Sequence, residues 1–390
     1  KNIFCNFLKD KRYLVTVILV AILSYGFTIT HYSIGIDDLC LDRYVSGTYM
    51  LAENRWGTWL VYNILHITKF SPFWLDFIVT VLMVLMATLI CTAMKKVLKD
   101  KTSIWTYVIF ASIFLSNPII GPFFIYQSTN LTVVLSNIIA TISAILVIEN
   151  AFTMKKKWIY LLNGIILTFA FAMYEACVQS FFAILFALLL LKFMVDKINT
   201  KEVLKVVFQG IISVILGLVG YYATGKVVSY ILIKIQMHVK DYADHSIIWL
   251  NPSFLQYSLE EKIEYLQNEL IIPLVVGITN YLPLKTLILS SLIAIIFGIK
   301  TIIKEKNCTK LFLILGVILS SFILIALKGT IMYRVQFSWT IMVAFICMYI
   351  FLEVNKTKIL KYIASLILIW VIIIQTNNLN DFFYNDYKRY

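Results

Sequence analysis

Charge is scarce in this sequence, and arginine is scarcer still. Asp, Glu, Lys and Arg together make up 14% of its 390 residues, while 61% are hydrophobic. Soluble domains carry about a quarter of their residues as charged types, so that class is excluded. Six prolines and 14 glycines are too few for a fibrous or low-complexity chain. The four histidines, His31, His66, His238 and His245, show no pairing at ligand spacing, which argues against a zinc site. The six cysteines are scattered through the chain and match neither a disulfide framework nor a metal motif.

Long apolar runs are what the sequence has instead. A helix needs about 20 apolar residues to cross ~30 Å of hydrocarbon, and runs of that kind recur down the chain. Lipid offers the backbone no hydrogen-bond partner, which restricts spanning segments to helices or closed barrels. Barrel strands alternate apolar and polar residues, and stretches such as Phe181 to Leu191 do not. The expected fold is an all-α polytopic membrane bundle, one integral membrane domain over residues 1–390.

The net charge of +13 would point a soluble protein toward nucleic acid. Here the basic residues fall mostly in short clusters between apolar runs: Lys9, Lys11 and Arg12; Lys95, Lys96, Lys99 and Lys101; Lys155 to Lys157; Lys192, Lys197, Lys201 and Lys205; Lys300, Lys304, Lys306 and Lys310; Lys356, Lys358 and Lys361. That is the positive-inside signal, and no basic groove with stacking aromatics accompanies it, so no nucleic-acid partner is expected. Placing every cluster inside gives eleven spans, at 13–33, 73–94, 103–117, 131–152, 158–173, 177–194, 204–233, 280–299, 311–327, 337–354 and 359–375. The N-terminus is then cytoplasmic, with Lys11-Arg12 opening an uncleaved signal anchor, and the tail 376–390 lies outside. The stretch 158–194 has no Gly or Pro near its middle and is divided at Glu175, because one span there would put later lysine clusters outside.

Outer loops follow at 34–72 and 234–279, with the short segment 328–336 and the tail beside them. In the second loop Asn251-Pro252-Ser253 reads as a helix start. Leu255, Leu259, Ile263, Leu266 and Leu270 then repeat at helical spacing between acidic residues, the pattern of an amphipathic helix lying at the interface. The first loop is the chemically dense one. It holds Asp37, Asp38, Asp42, Arg43, Glu53 and Arg55 within nineteen residues, with Trp56 and Trp59 at interfacial depth. Adjacent carboxylates beside a low-dielectric region repel each other, which raises the pKa of one, as a general base or a metal-holding pair requires. The plainer alternative is a solvated loop in which Asp38 caps an interfacial helix.

Arg12, Arg43, Arg55, Arg334 and Arg389 are the five arginines, against 29 lysines. Four fall on the expected outer side, against the positive-inside bias. Arg suits forked recognition of phosphate, so Arg55, Arg334 and the nearby Lys328 are candidate contacts for a lipid phosphate. Internal pairing is the competing account, and it is preferred for Arg43 and Arg389. Glu175, between two apolar runs, is a functional candidate by its position. Tyr126, Gln127 and Asn130 at a span end are weaker candidates for binding hydroxyls.

Asp37-Asp38 directly after the first span, Arg43 downstream, and Asn54-Arg55-Trp56-Gly57 together resemble the GT-C superfamily of lipid-linked-sugar glycosyltransferases. The closer likeness is to the bacterial glucosyltransferase-II-like family, which modifies O-antigens and cell-surface polymers. Tyr174-Glu175 and Arg334 are compatible with it. The resemblance implies a GT-C-like bundle of about eleven helices, with interfacial helices in the first outer loop and the active site on the outer face of a bacterial cytoplasmic membrane. It implies an inverting transfer of a hexose, glucose by the likeness, from a polyprenyl-phosphate donor to a surface glycopolymer. Asp37 or Asp38 would act as base, with Arg55, Arg334 and Lys328 on the donor phosphate. Arg43, Glu53, Trp56 and Glu175 would support them. No cofactor is required on this reading; Mg²⁺ or Mn²⁺ held by Asp37 and Asp38 is the metal-assisted variant. The competing functions are a transporter or flippase of lipid-linked saccharides, a polysaccharide polymerase or ligase, and a non-catalytic membrane subunit.

Overall fold

The computed structural model describes residues 3–31, 50–51, 53–65, 67, 72–99, 102–126, 129–234, 257–268, 284–305, 307–324, 335–354 and 358–388. Every regular element among them is helical. In chain order these are α1 (Ile3–Lys9), α2 (Lys11–Thr30), α3 (Trp56–Ile64), α4 (Pro72–Leu98), α5 (Ile104–Ser116), α6 (Gly121–Ile125), α7 (Asn130–Glu149), α8 (Trp158–Met173), α9 (Cys177–Asp196), α10 (Thr200–Lys234), α11 (Leu259–Leu266), α12 (Leu284–Glu305), α13 (Thr309–Ser320), α14 (Ser338–Val354) and α15 (Lys358–Tyr387).

Seven of them, α2, α4, α7, α9, α10, α12 and α15, are long and apolar enough to cross a bilayer. The pair Ile104–Ser116 and Pro118–Ile125, bent by 41°, makes an eighth if taken as one span. The shorter apolar helices are α8, α13 and α14. Each of the eleven expected runs falls on one of these helices, and the protein is a multi-pass helical membrane protein. The bend has a local cause. Proline holds the preceding residue out of the helical region, and Asn117 lies at φ −69°, ψ 120°, its Oδ1 accepting from the Ile119 N–H at 3.2 Å to start the next turn.

The division expected at Glu175 is present. Tyr174 is extended at φ −160°, ψ 107°, so α8 ends and α9 begins across a turn, and both pack on α7. One boundary differs from expectation. The tail 376–390 was expected as a polar extension, but α15 continues to Tyr387, because Leu379 and Phe383 bury one face of it and Phe383 meets Phe124. Of the amphipathic helix expected from Asn251-Pro252-Ser253 onward, the described part is α11. Ser258 caps it and exchanges bonds with Glu261 in a reciprocal capping box, while residues 251–256 lie outside the described residues.

Consecutive helices alternate in direction, so the bundle has two unlike ends. Helices finish at the lysine end with Lys99, Lys155 and Lys197 at positive φ. That end is laced by Lys96–Glu149 (2.6 Å), Lys192–Asp196 and Lys99–Asp196 (both 2.5 Å) and the largely buried Lys310–Glu353 (2.6 Å). Through the middle, α8 and α10 approach closely over small residues. A Cβ on Gly217 would sit 2.7 Å from Leu167 Cβ, and one on Gly164 would sit 2.7 Å from Leu216 Cβ. Gly217→Val is expected to destabilise the bundle by about 1–3 kcal/mol through overpacking. Gly26→Ala, whose Cβ would meet its nearest neighbour at 3.8 Å, should be neutral. Thermal unfolding of the purified protein in detergent checks the pair.

Candidate functional site

Several of the polar side chains buried inside the bundle lie at the end opposite the lysines. Thr28 near the end of α2, Asp76 near the start of α4 and Asn130 at the start of α7 are all within 2% of full burial. Thr28 Oγ1 donates to Asp76 Oδ2 at 3.0 Å, and Asn130 Nδ2 donates to Asp76 Oδ1 at 3.2 Å. An ionisable group inside a spanning segment is costly and requires such partners. The carboxylate therefore ties the end of α2 to the starts of α4 and α7.

A second group is built around the turn into α3. Asn54 takes φ 59°, a left-handed conformation that asparagine tolerates better than most residues. The turn closes with the Arg55 N–H donating to Met50 O at 2.7 Å. Gly57 lies flat on α8, where a Cβ would be 2.8 Å from the Ala172 carbonyl carbon, and Thr58 Oγ1 donates to Met173 O at 3.1 Å. This close seating carries Arg55 to the break between α8 and α9. Its Nη1 pairs with Glu53 Oε2 at 2.8 Å, and its guanidinium lies over the Tyr174 ring, 5.5 Å from the centroid. Tyr221 of α10 donates its hydroxyl to Glu175 Oε1 at 2.7 Å, and the Asn54 side chain also reaches Tyr221.

Electrostatics explain why Arg55 keeps its charge there. Burial acts to lower its pKa, but Glu175 and Glu53 outweigh burial and raise it above the ordinary guanidinium range. Two carboxylates thus face one guanidinium in this group. Two donors on it are left over: Arg55 Nε and Trp56 Nε1 are sequestered from solvent and have no hydrogen-bond partner among the described residues.

A third set is uncharged. Gln179 and Ser180 open α9, and Gln336 and Ser338 lead into α14; all four are within 1% of full burial. Gln179 Nε2 donates to Val335 O at 3.1 Å. Gln179 Oε1, both amide atoms of Gln336, and the hydroxyls of Ser180 and Ser338 have no partner among the described residues. Each such group costs about 1–3 kcal/mol while unsatisfied.

Of the residues expected to form a site, the structure brings Glu53, Arg55, Trp56 and Glu175 into one corner. Asp37, Asp38, Arg43, Lys328 and Arg334 lie outside the described residues. Among the described residues no group of three or more His, Cys, Asp and Glu could hold a metal ion. Sequence reasoning passed over Asp76, which reads as the start of an apolar run. It also passed over Tyr221, 46 positions from Glu175, and the amides Gln179 and Gln336.

A family model described as glucosyl transferase GtrII matches residues 26–351, a stretch that contains all three groups. No curated protein and no solved structure matches the chain. The corner makes its own prediction. Tyr221→Phe removes the donor from a half-buried carboxylate and should destabilise by about 1 kcal/mol, while Tyr222→Phe, on the exposed neighbour, should have no effect on thermal unfolding.

Proposed function

We propose that this chain, which belongs to the glucosyl transferase GtrII family, transfers a hexose from a polyprenyl-phosphate donor to a cell-surface glycopolymer at the end opposite the lysine clusters. The observation that carries the proposal is the set of three polar groups packed at that end, among them the Arg55 corner at the base of α3. By the positive-inside rule the lysine end faces the cytoplasm. The N-terminus is then cytoplasmic, the C-terminus outside, and the eleven helical runs are eleven crossings of the bacterial cytoplasmic membrane in a GT-C-like bundle.

On this reading an aspartate of the first loop, Asp37 or Asp38, accepts the proton of an acceptor hydroxyl. The freed oxygen attacks the anomeric carbon, the bond from that carbon to the phosphate oxygen breaks, and its electron pair leaves with the polyprenyl phosphate. The new glycosidic bond forms with inversion. Charge develops on the leaving phosphate, and fixed cations in a water-poor site stabilise it by a few kcal/mol per donor. Arg334 and Lys328 take that role. Arg55 is partly engaged by Glu53, and so contributes through Nε, beside Trp56 Nε1. Glu53 and Glu175 hold it in place, and Arg43 supports the loop.

Phosphate-binding cations make a divalent ion unnecessary; Mg²⁺ or Mn²⁺ on Asp37 and Asp38 is the variant in which the ion replaces them. A flippase fits less well, because transport sites sit near mid-membrane, whereas Asp76 lies close to the start of its helix. In proteoliposomes supplied with polyprenyl-phosphate glucose and a glycopolymer acceptor, Asp37→Asn or Asp38→Asn is expected to lower kcat about 10²–10⁴-fold. Full transfer by both variants removes the catalytic base. Transfer should survive EDTA; loss of transfer that is restored by Mn²⁺ selects the metal-assisted variant.

A further inference from the structure

We infer that Gln179 and Gln336, with Ser180 and Ser338 beside them, form the subsite that reads the hydroxyls of the donor hexose. The inference rests on the transfer reaction proposed above and assigns its specificity. Three amide atoms and two hydroxyls, in the first turn of α9 and at the entry to α14, are buried without hydrogen-bond partners among the described residues. Buried polar groups in folded proteins are nearly always paired, so a local concentration of unpaired ones calls for a missing partner. The missing partner must offer both donors and acceptors, because Gln336 presents an unpaired Nε2 donor and an unpaired Oε1 acceptor, and Gln179 adds an Oε1 acceptor.

Hydroxyl groups meet that demand, and a hexose carries several on a rigid ring. A phosphate meets only half of it, having acceptors but no donors at its ionised oxygens. The four residues that form the set carry no charge, which suits a neutral sugar, whereas the Arg55 corner is charged. The set also lies in the right part of the chain. It is at the same end of the bundle as the first-loop exit, and in sequence Gln336 follows the proposed phosphate contact Arg334 by two residues.

The four side chains are fully buried between α9 and the lead-in of α14, so the sugar must part that lead-in from α9. That lead-in, Val335 to Phe337, precedes the regular helix, and Gln179 holds it by an amide-to-carbonyl bond of 3.1 Å. A sugar hydroxyl can take over either partner of that bond, which makes opening and recognition one exchange of hydrogen bonds.

The test compares Gln179→Met, Gln336→Met and Ser338→Ala with wild type, as full chains in proteoliposomes. The donors are polyprenyl-phosphate glucose and its singly deoxygenated analogues at each ring hydroxyl. Wild type should prefer the glucose donor over at least one analogue by about 10-fold or more in kcat/KM, the scale of one lost hydrogen bond in a filled site. The variants should lose that preference, through poorer use of glucose rather than a general failure, and the thermal stability of Gln336→Met and Ser338→Ala should equal or exceed wild type because unpaired groups are gone. Ser338→Ala, the smallest change, serves if a methionine variant does not accumulate. Variants that transfer glucose and keep the wild-type preference overturn the subsite while leaving the transferase reading intact. A wild type that transfers no hexose from any of these donors overturns both.

Discussion

Lipid gives a polar group nothing to bond to, and the arrangement of this protein follows from that constraint. The backbone must close its hydrogen bonds within each apolar run, which leaves helices as the spanning elements. Each polar side chain inside the bundle then needs a neighbour on another helix. At the lysine end these needs are met by ion pairs between helix ends, such as Lys310–Glu353 and Lys96–Glu149. At the opposite end they are met unevenly. Asp76 receives hydrogen bonds from Thr28 and Asn130, Arg55 is enclosed by carboxylates, and the Gln179–Gln336 set is left with unpaired atoms. A fold optimised for stability alone would fill such positions with leucine.

That asymmetry joins structure to chemistry. Transfer of a sugar from a lipid phosphate needs a place where charge, hydroxyls and an apolar anchor meet. The three polar groups supply charge and hydrogen-bonding atoms at one end of the bundle, and α2, α10, α12 and α15 carry exposed apolar faces. The corner at Asn54 to Gly57 shows how loop and bundle are joined: a left-handed asparagine, a glycine pressed on α8 and a threonine bonded to Met173 seat Arg55 where Tyr174 and Glu175 interrupt the helices. Such a junction seats α3 on the bundle, and Asp76 holds the end of α2 to α4 and α7.

Much of the fold is legible in the sequence because membrane helices announce themselves by composition. The lysine clusters mark one end, and the division of 158–194 follows from keeping them on one side; the extended Tyr174 is its physical counterpart. The continuation of α15 to Tyr387 was harder to see, since Leu379 and Phe383 are spaced among Asn and Asp residues that suggest a solvated tail. The site was half legible. Glu53, Arg55, Trp56 and Glu175 stand out because charge and tryptophan are rare at such positions. Tyr221 does not, because a tyrosine in an apolar helix is ordinary until a distant carboxylate is brought to it. Asp76 was hidden in the same way within PFWLDF, and Gln179 and Gln336 sit at span ends where polar residues are common. Pairing across helices is a property of packing, and no single run of sequence carries it.

The central claim is that hexose transfer occurs at the end opposite the lysine clusters. It is tested most directly by sidedness, in proteoliposomes of uniform orientation with radiolabelled polyprenyl-phosphate glucose and an acceptor that cannot cross the bilayer. Labelling of acceptor supplied on the side of the polar end, and none on the lysine side, is the predicted result. Labelling of acceptor supplied on the lysine side alone would contradict the account.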